Sequence, residues 1–203
     1  MLRYFKYIVF VLFFISSFVI SKPLTQEAVL KLSDALQKEW VIQDERLLVV
    51  DIQGQKLFVI FKNAVRYVYT ISTSKYGIGN KSGSLKTPLG MHRITETYGD
   101  RAELGTIFKA RINTGKLYDF SKPVVNQKKD FVLTRILRLR GLERGINKGK
   151  GIDSYTRCIY IHGTSDEFKI GRPSSRGCVR MRNLDLIDLY EYVQKGDYVY
   201  IRG

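Results

Sequence analysis

The 203-residue chain carries 34 Lys/Arg against 19 Asp/Glu, a net charge of +15, with 44% hydrophobic residues and only two cysteines. This is the composition of one ordinary globular domain with a sizeable core, and two cysteines are too few for a small disulfide-framed scaffold. The charge points to polyanionic partners: nucleic acid for a cytosolic protein, or an anionic wall polymer, lipid headgroups or carboxylate-rich peptides for an exported one. Residues 101–150 hold 13 Lys/Arg against 4 Asp/Glu, so +9 of the charge lies in that quarter, although a solvated basic surface accounts for it equally well.

Arg3 and Lys6 precede "YIVFVLFFISSFVI" (residues 7–20), which is short for a bilayer span but matches the core of an export signal. Residues 1–21 are therefore expected to be a signal peptide cleaved after Ser21, with an uncleaved anchor as the alternative. Residues 22–45 follow as a short helix and linker. Val29, Leu32, Leu36 and Trp40 recur at helical spacing, Thr25 is placed as the N-cap, and the apolar side is expected to pack on the main body.

From Leu47 the period changes. "LLVVDIQGQKLFVIFKNAVRYVYTIS" reads as three strands rich in β-branched and aromatic residues, turning at Gln53-Gly54 and Lys62-Asn63, so an antiparallel meander is expected. A glycine-rich basic loop leads through Thr87-Pro88-Leu89-Gly90 into a short strand ending at Ile94. Residues 99–150 read as an elaborated insertion placed to cover a cleft. "RCIYIHG" is expected as a strand ending at His162, "RNLDLIDLYEYVQKG" as a helix capped by Asn183 and stopped by Gly196, and "DYVYIRG" as a last strand.

The chemistry concentrates in "HGTSDEFKIGRPSSRGCVRM", residues 162–181. A thiol becomes a useful nucleophile when an imidazole or positive charge stabilises its thiolate. His162 lies upstream of Cys178, Gly177 permits a tight turn before the thiol, and Arg176, Arg180 and Arg182 make the neighbourhood electropositive. Backbone N–H groups at such a turn are able to face a developing oxyanion. On spacing alone, two unremarkable residues in a buried β-segment stand as the alternative.

The other candidates are weaker. His92, beside Met91 and Ile94, is expected to be a partly buried or surface histidine. Cys158, beside Ile159 and Ile161, is expected to be a small buried hydrophobe, and strand alternation places Cys158, Tyr160 and His162 on one face. A Cys158–Cys178 disulfide is the less favoured alternative, since distance is not legible in sequence. No CxxC or HxxxH spacing supports a zinc site, and no metal is expected.

Taken together, His162-Gly163-Thr164, Ile170-Gly171 and Ser175-Arg176-Gly177-Cys178-Val179-Arg180-Met181 resemble the signature of the L,D-transpeptidase catalytic domain, also called the YkuD domain. "VVDIQGQKLFVI" resembles its first hairpin and "KTPLGMHRI" its TP-x-G segment. The resemblance covers residues 46–202 and implies a mainly β, sandwich-like fold with a few short helices. It further implies a cysteine nucleophile acting in the periplasm or cell envelope on peptidoglycan stem peptides, without a cofactor. Carried onto this chain, it makes Cys178 the nucleophile and His162 the general base and later acid. Ser175 matches the family serine near the site, and the Gly163 carbonyl orients the imidazole. Gly177 and Cys178 would supply oxyanion N–H groups, with Arg180 and Arg176 toward substrate carboxylates. Two positions depart from the pattern: Arg176 stands where many members carry His, and Cys158 where an aromatic residue is usual.

The implied reaction is a two-step acyl transfer from a tetrapeptide stem, with loss of D-alanine, to an amine acceptor. That acceptor is a second stem, an envelope lipoprotein or a free D-amino acid, with water as the variant that gives hydrolysis. Rivals are an L,D-carboxypeptidase or cysteine amidase that trims wall peptides, and a non-catalytic basic wall-binding protein. No nucleic-acid module is recognised, and membrane contact is expected only through an uncleaved N-terminal segment.

Overall fold

The run from Leu47 folds as its β-branched pattern predicts, into β1 (Leu47–Asp51), β2 (Lys56–Phe61) and β3 (Ala64–Ser72). The Lys62-Asn63 turn has both residues in the left-handed region, at φ 50° and 54°, as a tight two-residue hairpin requires. The structure is a computed structural model and describes residues 22–121 and 130–203; the expected export signal lies outside the described residues.

β1 is buried along its whole length because both of its faces are covered. Leu48 and Val50 join a larger core, while Leu47 and Val49 join a second one on the opposite face with Phe58 and Ile60 of β2. The second core is covered by α1 (Gln26–Trp40), which contributes Val29 and Leu36. As expected, Thr25 caps this helix, its hydroxyl accepting from the Ala28 N–H at 3.2 Å.

Beyond the glycine-rich loop the structure departs from the sequence reading in several places. The strand expected to end at Ile94 runs on as β4 (Gly90–Tyr98), because Glu96, Thr97 and Tyr98 pair with a later strand. Residues 99–150 are only partly an insertion. β5 (Thr106–Lys109) and β6 (Ile112–Leu117) form an edge hairpin, whereas β7 (Val132–Gly141) is an inner strand, paired with β4, β5 and the strand that carries His162. That strand, β8 (Tyr160–Thr164), begins two residues after Cys158, which sits instead in a turn at φ 57°. The face expected to hold Cys158, Tyr160 and His162 is therefore reduced to Tyr160 and His162.

After β8 come a short 3-10 turn (Glu167–Lys169), β9 (Val179–Met181), α2 (Asn183–Tyr192) and β10 (Tyr198–Arg202). Asn183 is the first helical residue rather than the cap. Its side chain reaches back to the Thr164 carbonyl at 2.9 Å, and Glu167 supplies the acceptor for its N–H at 2.7 Å. A carboxylate there also complements the positive end of the helix. α2 ends at Tyr192, before Gly196, which turns the chain into β10 at φ 104°.

The strand order is β4-β10-β1-β2-β3-β9-β8-β7-β5-β6, and β4 also pairs with β7. The inner strands thus return on themselves, and the two layers of this mainly β fold are joined at both sides. Leu186 and Leu189 of α2 complete the larger core. Among the described residues, no helix is long and apolar enough to cross a membrane.

Candidate active site

β8 and β9 run parallel, with Ile161 opposite Val179 and His162 opposite Arg180. This register decides what meets what. Opposed residues of a pair share a face and alternate along each strand, so Cys178, one residue before β9, falls beside Tyr160 and diagonally from His162. Cys178 and His162 both line a cleft of about 460 Å³, together with Ser175, Arg176 and Arg180.

His162 is buried, and its Nδ1 lies 2.7 Å from the Gly163 carbonyl. A carbonyl only accepts, so Nδ1 carries the proton and donates, leaving the Nε2 lone pair as the acceptor of the neutral ring. Gly163 cannot be replaced without displacing this strand: a Cβ there would collide with the Asn183 side chain and sit 2.7 Å from the Leu133 carbonyl. Burial lowers the His162 pKa, with Asp130 opposing that effect and Arg180 adding to it.

The turn that presents Cys178 is built by Ser175. Its hydroxyl donates to the Cys178 carbonyl at 2.6 Å and accepts from the Gly177 N–H at 3.2 Å, bracing both ends of the turn. Gly177 adopts φ 122°, a region open to glycine and strained for other residues. Gly177, expected to offer its N–H to an oxyanion, gives it to Ser175 in this arrangement. The Cys178 thiol points to the Cys158 carbonyl at 3.5 Å, and burial pushes its pKa up to about 11. The resting couple is therefore a neutral thiol beside a neutral imidazole. Both cysteines are free thiols.

The two arginines assigned to substrate differ sharply. Arg180 is 2% exposed and internally matched: its guanidinium meets Asp130 at 2.6 Å and Asp166 at 3.5 Å, and hydrogen-bonds the Ser174 hydroxyl. Arg176 is exposed at the rim, facing the same cleft as Lys75. The loop of residues 73–89 positions Lys75, whose N–H donates to the Ser175 carbonyl at 3.1 Å. Lys169 also lines the cleft, but its ammonium is held by Asp166 at 2.7 Å. Arg176 and Lys75 are thus the cations best placed for an incoming carboxylate.

Sequence reasoning missed Asp130, Asp166 and Arg111. Asp166 stands within the "HGTSDE" segment but reads there as a loop acid, and Asp130 follows two lysines far from the signature. Arg111 sits in the β5–β6 turn and donates to the Tyr160 hydroxyl at 2.8 Å, so the hairpin does reach the strand beside Cys178. His92, expected to be partly buried or at the surface, is fully buried: Nδ1 donates to the Gly90 carbonyl and Nε2 accepts from the Ser154 hydroxyl, each at 2.9 Å. It belongs to the packing and stands apart from the cleft. Among the described residues, no group of three or more His, Cys, Asp or Glu could hold a metal ion.

A closed β fold with a histidine on one strand and a cysteine in the turn entering the adjacent parallel strand, opening on a basic cleft, defines a class, and the model of the L,D-transpeptidase catalytic domain matches residues 45–201. The chain belongs to that family. Among solved structures it is similar to an L,D-transpeptidase from Mycobacterium smegmatis, at 17% identity and TM-score 0.48 over 78% of this chain and 59% of that one. It is also similar to L,D-transpeptidase 3 from Mycobacterium tuberculosis, in complex with a faropenem-derived adduct, at 16% identity and TM-score 0.48 over 78% of this chain and 60% of that one. A third likeness is to the L,D-transpeptidase of Stackebrandtia nassauensis, at 18% identity and TM-score 0.46 over 79% and 57%. The chain thus spans about three-fifths of the length of these solved chains. No curated protein matches it.

Proposed function

We propose that the domain is a cysteine-dependent L,D-transpeptidase that acts on peptidoglycan tetrapeptide stems in the cell envelope. The observation that carries this reading is the single cleft lined by Cys178, by His162 with its Nδ1 committed to Gly163, and by the exposed cations Arg176 and Lys75. A stem peptide bearing several carboxylates suits those cations, and a small open cleft suits an extended peptide.

In the first step His162 Nε2 takes the thiol proton as Cys178 Sγ attacks the carbonyl of the third, diamino-acid residue. A raised thiol pKa fits general-base attack, in which the proton leaves as the sulfur–carbon bond forms. The oxyanion is met by the Cys178 N–H, joined by the Gly177 N–H when it lets go of Ser175. Collapse breaks the peptide bond, the imidazolium returns its proton to the leaving D-alanine nitrogen, and a thioester remains on Cys178. An amine from a second stem, or from an envelope lipoprotein, then attacks the thioester. His162 takes up the amine proton and returns it to the departing thiolate, so no ATP is consumed.

The test is intact-mass spectrometry of residues 22–203 and of Cys178→Ala with a disaccharide-tetrapeptide. The expected result is a stem-sized adduct on the wild-type protein alone, with D-alanine released and crosslinked dimers formed. Tripeptide without dimers, even with acceptor in excess, would move the assignment to carboxypeptidase. Turnover by Cys178→Ala would overturn the nucleophile.

A further inference from the structure

Asp130 lies just before β7 and ties together the two strands that hold the base and the thiol. One carboxylate oxygen, Oδ2, meets Arg180 of β9 at 2.6 Å. The other, Oδ1, accepts from the Thr164 hydroxyl, at the end of β8, at 2.6 Å and lies 3.5 Å from the Ser165 hydroxyl. Arg180 is the register partner of His162, so the ion pair sits beside the histidine on the same face of the parallel pair, and both of its members line the catalytic cleft. Asp130 is about one-third exposed while Arg180 is almost wholly enclosed. The pair is therefore a fixed dipole at the wall of the cleft rather than a surface bridge.

We propose that Asp130 is a positioning residue of this site: its carboxylate, held between Arg180 and Thr164, locks the strands that carry base and nucleophile in register and faces the imidazolium formed when Cys178 Sγ passes its proton to His162 Nε2. The proposal rests on the reading of Cys178 and His162 as the reacting couple. Asp130 favours a charged His162 and disfavours a charged Cys178, and Arg180 does the reverse on both groups. The remaining charges at the cleft are disposed differently. Asp166 is shared between Lys169 at 2.7 Å and Arg180 at 3.5 Å, and Lys75 and Arg176 stand at the mouth. Arg157 is turned to backbone carbonyls of residues 79, 80 and 86. Asp130 and Arg180 are thus the opposed pair set against the proton transfer, and removing either one unbalances it in a known direction.

The test is the rate of iodoacetamide alkylation of Cys178 against pH in the Asp130→Asn, Arg180→Gln and double variants, with Cys158→Ser as the common background and near-ultraviolet circular dichroism as the check on folding. Loss of Asp130 leaves Arg180 only the more distant Asp166, 3.5 Å away and shared with Lys169, so more of its positive charge reaches the thiol. Asp130→Asn then alkylates faster, by about tenfold at fixed pH for a one-unit displacement of the titration, while its stem-peptide turnover falls and the acid limb of its pH profile moves down. Arg180→Gln alkylates more slowly, the double variant returns toward the parent rate, and Asp130→Glu retains the parent profile. General loosening of the site exposes the thiol and accelerates alkylation in both single variants, so acceleration in both, or a change in neither, overturns the proposal. Alkylation needs no stem peptide, so it reads the ion pair even if the transpeptidase assignment fails by the mass test.

Discussion

At the scale of single residues, His92 makes the acid stability of the fold predictable. It is fully buried, and burial lowers its pKa from 6.5 to about 4. The unfolded chain binds a proton that the folded one refuses, so the stabilisation contributed by the neutral ring is complete above about pH 6.5, is lost as pH falls toward 4, and changes no further below that. A shift of that size corresponds to roughly 3 kcal/mol. His162 titrates in the same direction, also through burial. Glu96, held ionised by the hydroxyls of Tyr155 and Tyr98, has its pKa lowered from 4.5 to about 2, so its own contribution is lost from about pH 4.5 downward and reaches only the acid end of this window, equally in the wild type and the variant. Urea unfolding at pH 7, 6, 5 and 4 should therefore show a steeper loss for the wild type than for His92→Asn. Parallel curves would mean that the Ser154 hydroxyl and Gly90 carbonyl accommodate the charged ring.

At the scale of elements, α1 behaves as part of the core rather than as a leader. Its Val29 and Leu36 cover the outer face of β1 and β2, and without them Leu47, Val49, Phe58 and Ile60 would meet water. Leu36→Ala should cost about 2–5 kcal/mol, as buried leucine truncations do, while Lys31→Ala, which breaks only an exposed pair with Glu27, should cost less than about 1 kcal/mol. Thermal melts of the two variants check this; equal losses would place the helix's contribution elsewhere. The helix and β1 to β3 were legible because one period holds through each of them. β7 was hidden because its arginines read as surface. Arg138 is buried against Glu96 and stacks on Tyr155 at 3.5 Å, and Arg135 donates to the Ala102 carbonyl at 2.6 Å and lies over the Tyr190 ring. The site divides in the same way. Cys178, His162, Ser175 and Gly163 share one segment, in which an imidazole, a tight turn and a thiol follow one another locally. Asp130 comes to them only through the β7–β8 pairing, which no local pattern records.

At the scale of the whole molecule, the net charge of +15 is not all available to a partner. Arg138 and Arg180 are buried against carboxylates and Arg135 is buried against backbone carbonyls, so part of the basic excess in the second half of the chain holds the fold together instead of projecting a field. What projects near the cleft comes from Lys75 and Arg176 at its mouth. Exposed charges are screened over about 8 Å at physiological ionic strength, whereas an enclosed pair such as Asp130 and Arg180 is screened far less. Salt should therefore separate capture from chemistry. Raising sodium chloride from about 0.05 to 0.5 M should raise KM for a stem peptide several-fold and leave kcat nearly unchanged. The KM effect should shrink in Lys75→Gln/Arg176→Gln and with a stem whose side-chain carboxylate is amidated. Steady-state kinetics across that salt range decide the matter. A kcat that falls with KM would mean that the field reaches the proton transfer itself, and a KM indifferent to salt would mean that the cleft selects its peptide by shape.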